Sequence, residues 1–163
     1  VKNSHINIAL KNYIGVKRRF TYLGKKNNAL VYDDYAHHPT EIKTVLDGVN
    51  KVYRGFEKVC VFQPHRISRL KDLRKEFSFA FKDADIVVLC PIYSAGEKIK
   101  LGFNYLKFAR EIIQNSKVKL FLVNDNFQLA KFVKNNIYGK KIVIGMGAGT
   151  ISNWIKKLPE LMK

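Results

Sequence analysis

Two cysteines, four prolines, one tryptophan and only thirteen acidic residues occur among 163 positions. Cys60 and Cys90 each lie inside an apolar run that reads as a buried strand. A structural disulfide is therefore not expected, and a reducing, cytoplasmic compartment is. Four prolines and ten glycines beside 47% hydrophobic residues exclude a disordered or low-complexity chain. No apolar run approaches the length of a membrane span. Residues 1–12 hold no uninterrupted apolar segment behind a basic region, so no signal peptide is expected. The sequence opens on Val1 rather than methionine, which suggests a fragment of a longer protein. Against the thirteen acids stand thirty Lys and Arg, a formal charge of +17. That surplus favours anionic partners. Most of the lysines, among them Lys43, Lys71, Lys107, Lys131 and Lys156, stand singly on polar helix faces. No nucleic-acid module signature accompanies them, so small anionic ligands are expected rather than a specific nucleic acid, and no membrane partner.

What is present is a regular alternation, and its length fits one well-buried domain. Residues 28–32 read as a strand, and behind Pro39 the residues Ile42, Val45, Leu46, Val49, Val52 and Tyr53 recur at helical spacing. Strands are expected over 58–62, 85–90, 118–123 and 141–146. Helices are expected over 68–81, 104–113, 127–135 and from 151 onward. Leu70, Leu73, Phe77 and Phe81 share one helical stripe, and Tyr105, Phe108, Ala109, Ile112 and Ile113 another. The strands are near-continuous apolar runs, as expected when both sheet faces are covered. The fold class is α/β: a doubly wound, mostly parallel, Rossmann-like sheet with helices on both faces. Residues 18–23 add one extra edge strand, and residues 6–13 read as a short helix before it.

Polar clusters sit where the strands run out. Tyr32-Asp33-Asp34-Tyr35-Ala36-His37-His38-Pro39-Thr40-Glu41 joins two carboxylates and two imidazoles to a helix start. Pro39 and Glu41 are explained by helix capping, but the Asp and His pairs are not. In open α/β sheets ligands collect beyond the carboxyl ends of the strands, where helix N-termini favour anions. Gln63-Pro64-His65-Arg66-Ile67-Ser68-Arg69 lands on the same sheet edge. Its two arginines suit carboxylates, phosphates or the charge that grows on oxygen in acyl transfer, and the plain alternative is a surface pair with Ser68 as helix cap. Pro91-Ile92-Tyr93-Ser94-Ala95-Gly96-Glu97 offers a third wall. Gly145-Met146-Gly147-Ala148-Gly149-Thr150 lets backbone approach a ligand but lacks the last glycine of a dinucleotide fingerprint. Missing altogether is G-x-x-x-x-G-K-[ST], so a triphosphate cradle, if one is used, lies elsewhere.

These elements resemble, in order, the carboxyl-terminal domain of the Mur ligases: Gly15-Val16-Lys17-Arg18-Arg19-Phe20, Asp33 to Glu41, Phe62-Gln63-Pro64-His65-Arg66, Tyr93-Ser94-Ala95-Gly96-Glu97 and Gly147-Ala148-Gly149. The Asp-Tyr-Ala-His core is similar to Mur ligases in general, and Phe-Gln-Pro-His-Arg to the members that add alanine. The resemblance implies that residues 16–163 form this domain and residues 1–15 end a central ATP-binding domain with its linker. It implies an enzyme of peptidoglycan synthesis in which ATP phosphorylates the lactyl carboxylate of UDP-N-acetylmuramate and the amine of L-alanine displaces the phosphate. ATP and Mg²⁺ would be bound mainly by the central domain, and the partners would be the N-terminal and central domains of the same enzyme.

By the same resemblance Arg19 reaches ATP phosphates, Asp34 lies near the ribose and Tyr35 borders the nucleotide. His37, Arg66 and Arg69 line the site for the incoming amino acid and the acyl group. The loop begins Pro91-Ile92-Tyr93 where the family commonly has an acidic residue first, and Thr150 stands where it places Asp or Asn. Roles tied to those side chains are not carried over. An alternative from another class is a metal-dependent phosphoesterase with Asp33, Asp34, His37 and His38 as ligands. A third is a basic nucleic-acid binder, whose attachment would have to survive physiological salt.

Overall fold

The structure is a computed structural model that describes residues 16–97 and 103–161. The helix expected over 6–13 lies outside the described residues. Six strands, β1 (Thr21–Lys26), β2 (Ala29–Asp34), β3 (Glu57–Phe62), β4 (Ile86–Leu89), β5 (Lys119–Leu122) and β6 (Lys141–Met146), form one sheet in the order β1-β2-β6-β3-β4-β5. All neighbours are parallel except β1, which runs antiparallel to β2 at the edge. The helices are α1 (Pro39–Val52), α2 (Ile67–Asp72), α3 (Arg74–Ser78), α4 (Tyr105–Ser116), α5 (Asn126–Asn136) and α6 (Ile151–Leu161).

Strand side chains alternate between faces, and the two cores show that alternation. Tyr32, Cys60, Phe62, Val87, Leu89, Ile142 and Ile144 meet Ile42, Leu46 and Val49 of α1, Leu70, Phe77, and Phe108 and Ile112 of α4. Val31, Val59, Val61, Val88, Cys90 and Val143 meet Leu129 and Val133 of α5 and Ile151, Ile155 and Leu158 of α6 on the other face. The four inner strands β2, β3, β4 and β6 thus contribute to both cores, which explains their near-continuous apolar runs. Both cysteines are free and buried. Burial pushes the Cys60 thiol up, and that of Cys90 up to about 12.

Most boundaries move by one to three residues from their sequence-based positions, and three of the changes have a visible local cause. The edge strand starts at Thr21 rather than 18, because Arg18 and Phe20 hold left-handed backbone (φ 62° and 49°) and the chain turns there. Asn27 and Asn28 (φ 48° and 65°) make the two-residue hairpin turn, and asparagine tolerates that conformation better than most side chains, so β2 begins after them. The single helix expected over 68–81 is two short helices that part at Leu73 (φ −112°, ψ 26°). Past Ser78 the turn is held instead by the buried Ser116 hydroxyl, which accepts the Phe81 amide and donates to the Ser78 carbonyl.

The register brings the sites together. Asp34 pairs with Met146, Met146 with Phe62, Phe62 with Leu89 and Leu89 with Leu122, so the carboxyl ends form one rank. The loop after β6 leaves towards α6, while the loops after β2 and β3 on either side leave towards the opposite face. That divergence opens a crevice at the edge where the polar clusters lie.

Candidate functional site

The first wall is built on the end of β2, where both aspartates are buried. Asp34 accepts the Phe20 and Ala36 amides, each at 2.7 Å, and so ties the entering chain to the β2–α1 turn. Asp33 points to the other face, accepts the Ser152 hydroxyl at 2.5 Å and lies 3.7 Å from Arg18 Nε. Arg18 in turn donates to the Gly147 carbonyl at 2.5 Å and stacks over the Tyr35 ring at 4.7 Å. Arg19 lies beside the same ring at 5.8 Å, with its side chain 55% exposed. Arg19 is thus the more exposed guanidinium, 4.0 Å from Glu41 Oε1, and Arg18 the one that joins the entering chain to the glycine turn.

Glu41 organises the histidine pair. Its Oε2 accepts the His37 amide at 3.0 Å and the His38 amide at 3.2 Å, while His38 Nδ1 accepts the Thr40 amide: a capping box with a histidine as cap. Burial pushes the Glu41 carboxyl up, but those two amides and the nearby His37 and Arg19 outweigh it and hold the group below its ordinary value. His38 is therefore occupied in starting α1, whereas His37 projects beside Tyr35, with ring centroids 5.1 Å apart.

The second and third walls are zipped to one another. The Arg66 amide donates to the Tyr93 carbonyl, the Tyr93 amide to the Pro64 carbonyl, and His65 and Tyr93 form an isolated parallel bridge. Arg66 adopts φ 69° to make this turn, and its side chain is exposed. Ser68 does not cap α2 with its own hydroxyl. Its amide and hydroxyl both donate to Glu97 across the loop, which lowers the Glu97 pKa. Rings continue from one wall to the next: His37 to His65 at 5.7 Å and His65 to Tyr93 at 5.5 Å. Arg69 backs this row, its Nη1 3.1 Å from His65 Nδ1.

The glycine turn closes the far side. A Cβ on Gly147 would lie 2.8 Å from the Gln63 carbonyl, and one on Gly149 would lie 2.6 Å from both Gln63 Oε1 and Tyr93 Cγ. Gln63 donates to the Thr150 hydroxyl and accepts the Ile151 amide, so its side chain, and not Thr150 alone, starts α6. A cavity of about 460 Å³ between α3 and α4 holds none of these residues and is bridged by the Arg74–Glu111 ion pair. Convergence of the loops, not cavity size, places the site.

Over residues 18–149 the chain matches the family model described as Mur ligase, glutamate ligase domain. The chain belongs to the Mur ligase family. It is 61% identical over 162 residues to the UDP-N-acetylmuramate--L-alanine ligase of Pelagibacter ubique, covering 99% of this chain and 35% of that protein. To the ligase of the same name from Paramagnetospirillum magneticum it is 37% identical, over 96% of this chain and 33% of that one. Among solved structures, the UDP-N-acetylmuramate-alanine ligase of Thermotoga maritima matches with a TM-score of 0.75 at 25% identity, over 98% of this chain and 33% of its own. A single domain of a putative ligase from Haemophilus ducreyi, 21% identical, shares the fold with a TM-score of 0.66 over 89% of this chain and all of its own. This Mur ligase domain therefore spans about a third of the length of the curated relatives it matches.

Of the residues singled out in the sequence, this Mur ligase domain brings Arg19, Tyr35, His37, Arg66 and Arg69 to one edge, with Asp34 buried behind them. The phosphoesterase alternative is not supported. Asp33 and Asp34 are engaged by a hydroxyl and by backbone amides, and among the described residues no group of three or more His, Cys, Asp or Glu is placed to hold a metal ion. No described helix is long and apolar enough to cross a membrane. Arg18, Gln63, His65 and Tyr93 were not among the site residues read from sequence. Their positions inside the ordered motifs were the available signal.

Proposed function

We propose that the whole protein joins L-alanine to the lactyl carboxylate of UDP-N-acetylmuramate, consuming ATP, in the cytoplasm, and that residues 16–163 are its carboxyl-terminal domain. Residues 1–15 would then end the central ATP-binding domain and its linker. The observation that carries this reading is the 61% identity to an enzyme of that name across nearly the whole chain. The geometry supports it: an exposed arginine for phosphate, rings beside it, and an Arg–His wall opposite.

A carboxylate at neutral pH is a poor electrophile, so the lactyl group needs activation before an amine can attack. Phosphorylation by ATP supplies it, and phosphate then leaves as the amide forms. Arg19 is positioned to neutralise charge on the transferred phosphoryl group, with Tyr35 bordering the nucleotide. Asp34 shapes this corner from behind, since both of its oxygens are used by backbone amides. His37, Arg66 and Arg69 line the place for amino acid and acyl group, Arg69 from behind His65, and the exposed Arg66 suits the carboxylate of alanine. Mg²⁺ would neutralise charge on the phosphates. By the family resemblance it would be held mainly by the central domain. By this reading the 163-residue chain alone has no turnover.

The test is a chimera in which residues 1–163 replace the matching third of the Pelagibacter enzyme. Phosphate release that requires both L-alanine and UDP-N-acetylmuramate is expected, and R19A or R66A should cut it at least tenfold. A folded chimera that works with another amino acid in preference to alanine would refute the assignment.

A further inference from the structure

Two neighbouring imidazoles in this site carry opposite hydrogen-bonding instructions. Arg69 Nη1 lies 3.1 Å from His65 Nδ1 and 3.3 Å from the His65 carbonyl. A guanidinium has donors only. His65 Nδ1 must therefore be the bare acceptor, and the single ring proton sits on Nε2. His37 is held the other way round. Its Nδ1 lies 3.0 Å from the Tyr35 carbonyl and 3.4 Å from Glu41 Oε2, both of which only accept, so Nδ1 carries the proton and the neutral ring presents Nε2 as an acceptor. Neither Nε2 has a hydrogen-bond partner among the described residues, and the rings meet edge-on, with centroids 5.7 Å apart and planes at 63°.

We propose that Arg69 is a positioning residue that acts through His65, locking it as a neutral Nε2–H donor beside the Nε2 acceptor of His37, and that this donor–acceptor pair manages the protons of amide formation. The proposal rests on the ligase reading above. An amino acid arrives as a zwitterion, and its ammonium has no lone pair with which to attack. His37 Nε2 takes one ammonium proton. The freed lone pair forms the C–N bond at the acyl-phosphate carbonyl, and the C–O bond to phosphate breaks with its electrons going to phosphate. The second nitrogen proton leaves with phosphate. His65 Nε2–H, together with Arg66, supplies donors to oxygen during this sequence, and it keeps that proton throughout.

The surroundings of His65 agree. Arg66 and Arg69 face it from its own segment, His37 from the β2 loop, and Tyr93 and Glu97 from the β4 loop. Only Glu97 favours the cation. Burial, then Arg69, His37 and Arg66, prevail and hold the ring below the ordinary histidine value, so it stays neutral where a free histidine would begin to charge.

The chain has four histidines, which makes a direct reading feasible. In long-range proton–nitrogen NMR spectra of the ¹⁵N-histidine-labelled chain, His65 should show a protonated Nε2 and a bare Nδ1, and His37 the reverse. Arg69→Met should return His65 to a mixture of tautomers with an upward-shifted titration, while backbone amides distant from the site keep their positions. A wild-type His65 protonated on Nδ1, or equal tautomers at either ring, overturns the proposal without any need for the variant to fold. In the chimeric enzyme R69M should lower kcat roughly tenfold or more and displace the pH–rate profile, with the KM for L-alanine within about twofold. A raised KM with unchanged kcat would make Arg69 a direct carboxylate ligand and also overturn it. A wild-type chimera that ignores alanine would instead remove the ligase reading and leave the tautomer result standing.

Discussion

Removing the Glu41 carboxylate should destabilise the domain by an amount that depends on pH. Glu41 accepts two backbone amides at 3.0 and 3.2 Å, and a capping interaction of this type contributes about 0.5–2 kcal/mol. A charged acceptor places each bond towards the stronger end of the hydrogen-bond range, but the side chain is 34% exposed, and water screens part of that gain. For E41A we expect a loss of about 2 kcal/mol at neutral pH, roughly 4–8 °C in Tm for a chain of this size. Glutamine also serves in capping boxes, because its amide oxygen can still accept, so E41Q should lose about 1 kcal/mol.

The sign of the pH dependence follows from the lowered pKa. Below the ordinary carboxylate value of 4.5 an unfolded Glu41 binds a proton that the folded one still refuses. The contribution is therefore complete above that value and disappears as pH falls through the folded value. Urea unfolding of wild type and E41Q from neutral pH down to about pH 3 measures the difference directly. Both proteins carry the same large surplus of positive charge apart from this one group, so most of the general acid destabilisation cancels in the comparison. A gap that stays constant across the range would refute the argument, because it would mean that packing, not the charged acceptor, sets the cost.

Two further outcomes follow from contacts already described. Asp34→Asn cannot accept both the Phe20 and Ala36 amides with its single oxygen and leaves a buried donor unmatched, so urea titration should show a loss of about 2–3 kcal/mol. Gly145→Ala would set a Cβ 2.1 Å from Ile155 Cγ1, so a loss of roughly 1–3 kcal/mol is expected, partly recovered in a G145A/I155A double variant that makes room.

How much of this was legible in the sequence depends on the range of the forces involved. The strand over 141–146 matches β6 to the residue, because a continuous apolar run lies between a basic pair and a glycine turn. Helix α1 was equally plain, since Pro39 pins its start and Ile42, Leu46 and Val49 keep the spacing of its buried stripe. Errors arose where a local pattern had two solutions. Apolar spacing over 68–81 fits one helix or two that share a buried side; the chain parts at Leu73, and the turn beyond Ser78 is held by Ser116, some 35 residues away in sequence. Asn28 reads as the start of a strand because the apolar run from Ala29 follows it directly, whereas with its neighbour Asn27 it makes a turn.

The same distinction separates the candidate residues legible in the sequence from those that the structure adds beside them. Arg19, Tyr35, His37 and Arg66 are polar or exposed groups at strand ends and have no folding duty that would account for them locally. Gln63 and Arg18 owe their positions to partners 87 to 129 residues distant, the Thr150–Ile151 helix start and the Gly147 carbonyl, and no spacing rule reaches that far. These long-range bonds also explain why the glycines stand where they do. Gly147 and Gly149 pack against Gln63, and Gly149 against Tyr93 as well, so the loop after β6 sits directly on the turn after β3 and the loop after β4. A site assembled from three loops on separate strands needs such coupling: the Arg66 backbone is bonded to Tyr93, Tyr93 is limited by Gly149, and Gly147 is tied through Arg18 to the segment that carries Arg19. Arg19 and Arg66, the arginines proposed above for phosphate and amino acid, are thus joined through Arg18, the glycine turn and Tyr93.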